Sequence, residues 1–275
     1  MAESPGSMPQ WNSCRAVITG ASSGIGQSTA IEFGRRGCRN LVLHYRSNET
    51  GIKKTQSLLQ ELGPVIKTKI IQADFGLGVE RDRFIDAVFG AGEVDVWINN
   101  AGADVLTGEA AEQSFEQKLH RLWNVDVAGT IDLSRKAAAR MRQAGSKASS
   151  DSTAIPKSMV FIGWDQANHG MEGDAGQMFG PIKAAVMAFA HSMAQEHAPE
   201  IRINCVAPGW IQTAWGETTE GYWDKRARQQ ALMKRWGRPE DVAETIAYAA
   251  NPANTFLTGQ TLNVNGGFNR RYDDS

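Results

Sequence analysis

Short apolar, β-branched runs recur along this chain, each separated from the next by a stretch with helical spacing of its apolar residues. That alternation limits its fold more than any other feature. "RAVITG" (15–20), "NLVLHY" (40–45), "VIKTKIIQAD" (65–74), "VDVWINNAG" (94–102), "KSMVFIG" (157–163) and "IRINCVAPG" (201–209) read as strands, with "TLNVNGG" (261–267) as a last one. "QSTAIEFGRRG" (27–37), which ends in glycine as a helix should, and residues 49–62, 79–89, 112–143, 176–198 and 239–251 read as helices. Strand and helix in strict succession call for a parallel sheet with helices on both faces. The expected fold is α/β: a Rossmann-type doubly wound parallel sheet in three layers. No change of composition and no long linker divides the chain, so one domain is expected over 14–268, between polar tails at 1–13 and 269–275. Two segments read as loops. One is "AGSKASSDSTAIPK" (144–157); the other is an insertion over 211–235 that carries Trp215, Tyr222 and Trp223, with Trp236 just beyond it. Apolar side chains in so long an insertion suit either a lid over a ligand or a partner subunit.

The strand-to-helix turn "TGASSGIG" (Thr19–Gly26) gives this frame a function. Gly20 permits the sharp turn. Gly24 and Gly26 let backbone approach a pyrophosphate at a helix N-terminus, where unpaired N–H groups and the helix dipole favour an anion. The spacing is GxxxGxG rather than GxGxxG, and its place between strand and helix points to dinucleotide binding. The second strand bears on which dinucleotide. An acid at its end would hold a ribose 2′-hydroxyl; here Tyr45 stands there, followed by Arg46 and Ser47. A guanidinium with a hydroxyl suits a 2′-phosphate, so NADP(H) is expected over NAD(H).

Other functions are disfavoured by the totals. Among 275 residues, 29 are basic and 30 acidic, a net charge of −1 that gathers neither nucleic acid nor anionic membrane. No apolar run approaches the roughly 18–20 residues of a membrane span. "MAESPGSMPQ" has neither a basic start nor an apolar core, so no signal peptide is expected. Cys14, Cys38 and Cys205 lie apart without metal-ligand spacing, which suits a reducing, cytoplasmic setting and no structural zinc.

These motifs in this order resemble the short-chain dehydrogenase/reductase family over almost the whole chain. "TGASSGIG" resembles its cofactor turn, so Ser22, Ser23 and Ile25 join the three glycines as expected cofactor ligands. "QADF" resembles its adenine-side segment, with Asp74 and Phe75. "NNAG" resembles its fourth-strand motif, which implies that Asn100, Ala101 and Gly102 flank the adenosine and central sheet. "APGWIQT" resembles its PG motif, which adds Pro208 and Gly209 and implies that Ile211 and Thr213 meet the nicotinamide carboxamide. "TGQTLNVNGG" resembles the closing strand and "RWGRPEDVA" the ketoacyl-reductase branch. The resemblance also implies a small-molecule substrate and a homo-oligomer, tetramer or dimer.

The family works with an Asn, a Ser, a Tyr and a Lys: the tyrosine gives the proton, the lysine lowers its pKa and binds the nicotinamide ribose, the serine orients the carbonyl, and the asparagine holds a water relay. Here the YxxxK pattern reads "FGPIK", with Phe179 at the tyrosine position and Lys183 retained. After the fifth strand stand Gly163, Trp164, Asp165 and Gln166, with no hydroxyl among them. "VDVAG" places Asp126 where the asparagine belongs, and neighbouring Asn124 is off by two. Phenylalanine cannot donate a proton, and general acid–base help is typically worth about 10² to 10⁴ in rate, so ordinary ketone reduction is expected to be slow.

A rebuilt site needs another donor, or none. Asp165 is the leading candidate, just past a strand end where open α/β sheets bind ligands. Buried near Trp164 its pKa would rise; paired with Lys183 it would stay ionised. Ionised, it could hold a cationic iminium substrate, which accepts hydride without prior protonation. Its alternative is a loop carboxylate capping backbone N–H groups. "WDQ" (164–166) is also similar to a segment of reductase-fold enzymes of fungal indole-alkaloid biosynthesis, in which an aspartate manages a cationic intermediate. His169 and Tyr222 are further donor candidates. Asp126 facing Lys183 reads as a buried ion pair in place of the relay, and Trp210 as a wall of the nicotinamide pocket or a core residue. Three functions stay open: an NADP(H)-dependent oxidoreductase with an atypical site, acting on a carbonyl or iminium; a cofactor-binding or sensing protein that has lost catalysis; and a non-redox acid–base enzyme using Asp165 and Asp126.

Overall fold

The computed structural model describes residues 11–63, 65–145, 157–213, 216 and 221–270. Seven strands run parallel in the order β3-β2-β1-β4-β5-β6-β7. They are β1 (Arg15–Ile18), β2 (Asn40–Tyr45), β3 (Lys67–Gln72), β4 (Val96–Asn99), β5 (Lys157–Ile162), β6 (Ile201–Pro208) and β7 (Thr261–Val264). The helices are α1 (Gly24–Arg35), α2 (Glu49–Leu62), α3 (Gly78–Phe89), α4 (Phe115–Leu122), α5 (Thr130–Gly145), α6 (Gly173–His197), α7 (Tyr222–Gln230) and α8 (Pro239–Ala250).

The strands read as continuous apolar runs because both faces of the sheet are covered. Period two sorts their side chains. Val17, Val42, Trp97 and Phe161 pack with α3, α5 and α6 residues such as Phe84, Leu133 and Ile182. Ile18, Leu43, Ile98 and Val160 pack on the other face with Phe33 of α1, Ile52 of α2 and Ile246 of α8. β3 is one edge of the sheet, and its exposed Lys67, Lys69 and Gln72 blunt it against further pairing.

Two expectations are corrected. The polar tail was expected to run to residue 13, but Trp11–Ser13 form a short 3₁₀ turn, and the Trp11 ring lies 4.5 Å from that of Phe33, sealing the α1 face. Nor is 112–143 one helix. Ser114 caps α4 by accepting the N–H of Gln117, and between α4 and α5 the chain widens into a π-helical stretch, Trp123–Gly129. Gly129 sits there because a Cβ would lie 2.8 Å from the Phe75 carbonyl oxygen. The expected insertion contains α7 and is tied down on both sides. Ile211 bridges Gly237, and Leu232 and Met233 donate backbone N–H groups to Gly267 and Gly266 (3.0 and 3.1 Å). Both of those glycines have positive φ, which this return of the chain requires. Residues 1–10, 146–156 and 271–275, and Trp215 in the insertion, lie outside the described residues. No described helix is long and apolar enough to cross a membrane.

Candidate functional site

A cleft of about 470 Å³ opens beyond the carboxyl ends of the strands, where the strand order reverses between β1 and β4. Its floor is the glycine turn. Gly20 and Gly24 adopt positive φ (65° and 51°), which other residues resist. Gly26 lies beneath the turn, and a Cβ on it would stand 2.1 Å from the Gly20 oxygen. Thr19 and Asn100 lock the turn to β4. Asn100 Nδ2 donates to the carbonyls of Thr19 and Gly20 (2.9 and 3.1 Å), and Thr19 Oγ1 accepts the N–H groups of Asn100 and Ala101 (2.9 Å each). Ser22, Ser23, Gly24 and Ile25 line the cleft at the start of α1.

His44, not singled out in the sequence, is 2% exposed and touches this floor from β2. Its Nδ1 accepts the Gly20 N–H at 3.1 Å, so the ring proton sits on Nε2, which faces the Ala73 carbonyl at 2.9 Å. The ring stacks on Phe75, centroids 3.8 Å apart. Burial pushes its pKa down to about 4.

At the β2 end, Arg46 and Ser47 line the cleft as expected, and no ion pair engages Arg46 among the described residues. Tyr45 does not join them. Strand alternation turns it to the opposite face, against the α1–α2 core with Leu43. Asp74 and Phe75 line the next stretch; Asp74 Oδ1 accepts the Gly76 N–H at 2.8 Å.

At the other end the cleft meets Asn100, Ala101 and Gly102, then a wall of Asp104–Thr107 that sequence reasoning missed. Asp104 folds this wall by accepting the N–H groups of Leu106 and Thr107 (2.9 and 3.1 Å). Opposite, α6 presents Phe179 and, one turn on, Lys183. Lys183 Nζ donates to Asp126 Oδ2 at 3.2 Å and approaches the Ile162 carbonyl at 3.5 Å. Asp126 is 3% exposed, and its other oxygen accepts the Ala103 N–H at 2.7 Å. Gly102 is glycine because a Cβ would stand 2.8 Å from Asp126 Oδ2.

Several expected residues stand outside this lining. Asp165 does not pair with Lys183. Asn265 and Gln166 donate to its Oδ2 (3.0 and 3.2 Å), and Oδ1 is buried without a hydrogen-bond partner. Burial holds its pKa above the usual carboxylate range. Gly209 backs this cluster, its missing Cβ 3.1 Å from Asp165 Oδ2. Pro208 ends β6, and Ile211 packs into the core, so of the PG segment Thr213 reaches the cleft. Trp164 stands edge-on to Phe179 (6.4 Å) without lining the cavity. Trp210 does not line this cleft: its Nε1 donates to Gln230 at 2.7 Å, and its ring stands 5.8 Å from both Trp223 and Trp236. His169 lies against Phe268 (5.8 Å), and the Tyr222 hydroxyl donates to Glu172 (2.9 Å), so neither donor candidate reaches the lining. Burial pushes the Cys205 and Cys14 thiols up to about 12 and Cys38 to about 11, leaving none of them nucleophilic.

Comparison with known proteins agrees with this architecture. A family model described as enoyl-(acyl carrier protein) reductase matches residues 20–269. A 3beta-hydroxysteroid dehydrogenase of Eggerthella lenta is 30% identical over 261 residues, which cover 91% of this chain and 92% of that protein. A 3-oxoacyl-acyl-carrier-protein reductase of Staphylococcus epidermidis is also 30% identical, over 92% of this chain and 97% of its own length. Among solved structures, a short-chain dehydrogenase/reductase of the glucose/ribitol dehydrogenase type from Brucella melitensis superposes with a TM-score of 0.77 at 26% identity, covering 94% of this chain and 97% of that one. A short-chain dehydrogenase from Burkholderia cenocepacia, solved in complex with NADP, shares the fold with a TM-score of 0.79 at 24% identity, covering 94% and 99%.

Proposed function

This chain belongs to the short-chain dehydrogenase/reductase family of oxidoreductases, and from that premise we propose that it binds NADP(H) and reduces a small molecule of carbonyl or iminium type at an atypical active site. The observation that carries the reading is the continuity of one cleft from Arg46 and Ser47, across the glycine turn, to Lys183 beside Phe179.

The residues fit the cofactor. The start of α1 offers an anion its N–H groups and dipole, above a floor where Gly26 tolerates no side chain. Arg46 and Ser47 suit a ribose 2′-phosphate. The second Asp74 oxygen and Phe75 would flank the adenine, and Lys183 and Thr213 would hold the nicotinamide half. When bound, the reduced nicotinamide supplies hydride.

The protein's own groups shape what can be reduced. Phe179 has no proton to give, and Lys183 is engaged by Asp126. The Asp165 carboxyl lies outside the lining, held by Asn265 and Gln166. An acceptor that already carries positive charge, such as an iminium, needs no enzymic acid, so this geometry favours it over an unactivated ketone. The same placement weakens the reading of a non-redox enzyme that uses Asp165 as its acid–base group.

The test is a titration with NADPH and with NADH, read by energy transfer from tryptophan to the reduced nicotinamide. Micromolar binding of NADPH, tighter than NADH by about tenfold or more and levelled by Arg46→Ala, is the expected result, since a lost charge-assisted contact is worth roughly 1.5–3 kcal/mol. A panel of cyclic iminium ions and ketones then identifies the acceptor. Binding of neither nucleotide would leave a fold without its cofactor and overturn the reading.

A further inference from the structure

β2 carries a histidine directly after the aliphatic run Leu41–Leu43, and both ring nitrogens are engaged across different parts of the sheet. His44 Nδ1 accepts from Gly20, the first glycine of the turn after β1, while Nε2 faces the Ala73 carbonyl after β3. The backbone carbonyl of the same residue accepts the Ala21 N–H at 2.8 Å. One residue therefore takes up two successive N–H groups of the turn. Phe75 lies flat on the ring and Phe84 meets it edge-on at 5.2 Å. Phe75 also lines the cleft, so the ring fixes both the turn and the next wall of the cavity.

We propose that His44 is a positioning residue for the adenosine-phosphate half of the ligand: as a neutral imidazole it ties the glycine turn to Ala73–Phe75 and so sets the spacing between the anion-binding floor and the adenine wall. This rests on the dinucleotide reading given above and deepens it. With Gly20 and Ala21 committed to His44, the donors left for a phosphate begin at Ser22. The tie depends on an acceptor at Nδ1, because a protonated ring would point an N–H at the Gly20 N–H. It also acts through the turn and Phe75 rather than through the reacting end, where Phe179 and Lys183 stand.

Three substitutions separate the ring's functions. Asn in His44→Asn keeps an acceptor close to the Nδ1 position; Gln in His44→Gln keeps a donor close to the Nε2 position; His44→Leu keeps neither. The ligands are NADPH and 2′,5′-ADP, with nicotinamide mononucleotide as the control for the other half. Affinity for NADPH and 2′,5′-ADP is expected to fall about tenfold or more in His44→Leu and nearly as far in His44→Gln, as for a buried donor left without its partner. His44→Asn is expected to stay within about threefold of the wild type, and nicotinamide mononucleotide binding to be the same in all four proteins. Nitrogen-15 spectra of the wild-type ring at pH 7 should show a neutral imidazole with its proton on Nε2. A folded His44→Leu that binds NADPH like the wild type, equal losses in Asn and Leu, or a ring carrying its proton on Nδ1 would each overturn the proposal. Should His44→Leu fail to fold, the Asn–Gln comparison and the ring spectrum still decide it. Wild-type protein that binds no nucleotide would sink the cofactor reading instead, and the tautomer result would stand apart from it.

Discussion

A single missing hydroxyl at Phe179 separates this cleft from one with a phenol beside an ammonium, yet restoring it is not expected to restore ketone chemistry. Lys183 Nζ is held by Asp126, and the loop after β5 supplies no hydroxyl to orient a carbonyl. Phe179→Tyr should therefore leave NADPH oxidation with simple ketones close to background, with stability within about 0.5 kcal/mol of the wild type because the ring already borders the cavity. A rise of a hundredfold or more would mean the site lacks this one group and nothing else. Asp126 is the opposite case, a buried carboxylate satisfied by Lys183 and Ala103. Asp126→Asn keeps the shape and removes the charge, and urea unfolding should show a loss of about 1–3 kcal/mol. His44 predicts a pH dependence. Its pKa falls from 6.5 to about 4 on burial, so between those values the unfolded chain takes up the proton first. Its contribution to stability is complete above about pH 6.5 and is lost toward pH 4, at roughly 1.4 kcal/mol per unit. Asp165, with a raised pKa, acts with the opposite sign, its contribution lost as pH rises above the ordinary carboxylate range. The slope specific to His44 is thus the difference between wild type and His44→Asn, measured from pH 7 to pH 5.

Between elements, the informative ties are those that close helix ends onto strands. Arg202 on β6 is buried, and its guanidinium donates to the carbonyls of Ala249, Asn251 and Leu257 (2.9, 3.0 and 3.0 Å), capping the carboxyl end of α8. A cation at that end complements the helix dipole while satisfying its last carbonyls. Arg202→Leu takes the donor from the Ala249 carbonyl, while Leu257 keeps the Asn204 Nδ2 donor and Asn251 the Asn254 N–H, and thermal or urea unfolding should report a loss of about 1–3 kcal/mol. A loss under about 0.5 kcal/mol would mean water replaces the guanidinium freely. The π-helical stretch before α5 is another such junction: its extra width seats Asp126 against both Ala103 and Lys183, while Gly129 clears the Phe75 carbonyl.

For the molecule as a whole, a cleft that runs across four strand ends couples ligand binding to global stability. NADPH at about a hundredfold above its dissociation constant should stabilise the fold by roughly 2.7 kcal/mol, or several degrees in Tm. NADH at the same concentration should shift Tm less, and Arg46→Ala should bring the two together. Equal shifts in the wild type would remove the 2′-phosphate from the account.

The sequence by itself determined the sheet, its three layers and the floor of the cleft. Alternating periodicity and a glycine turn between strand and helix are local properties, and Gly20, Gly24 and Gly26 lie where that pattern places them, while Asn100 and Lys183 line the cleft at positions that only the family resemblance pointed to. Tertiary structure decided which side chains face the cavity. Tyr45 and Arg46 are neighbours in the chain, but the strand pleat sends one into the core and the other to the cleft. Asp165 and Trp210 follow strand ends just as the lining residues do, yet Asn265 and Gln230, distant in sequence, hold them in hydrogen bonds away from the cleft lining. His44 read as one more residue in an apolar strand, with the same parity as Val42. What gives it a role is the meeting of β1, β2 and β3 at their carboxyl ends, where one ring reaches Gly20 and Ala73 together, and that proximity exists only once the strands are in register.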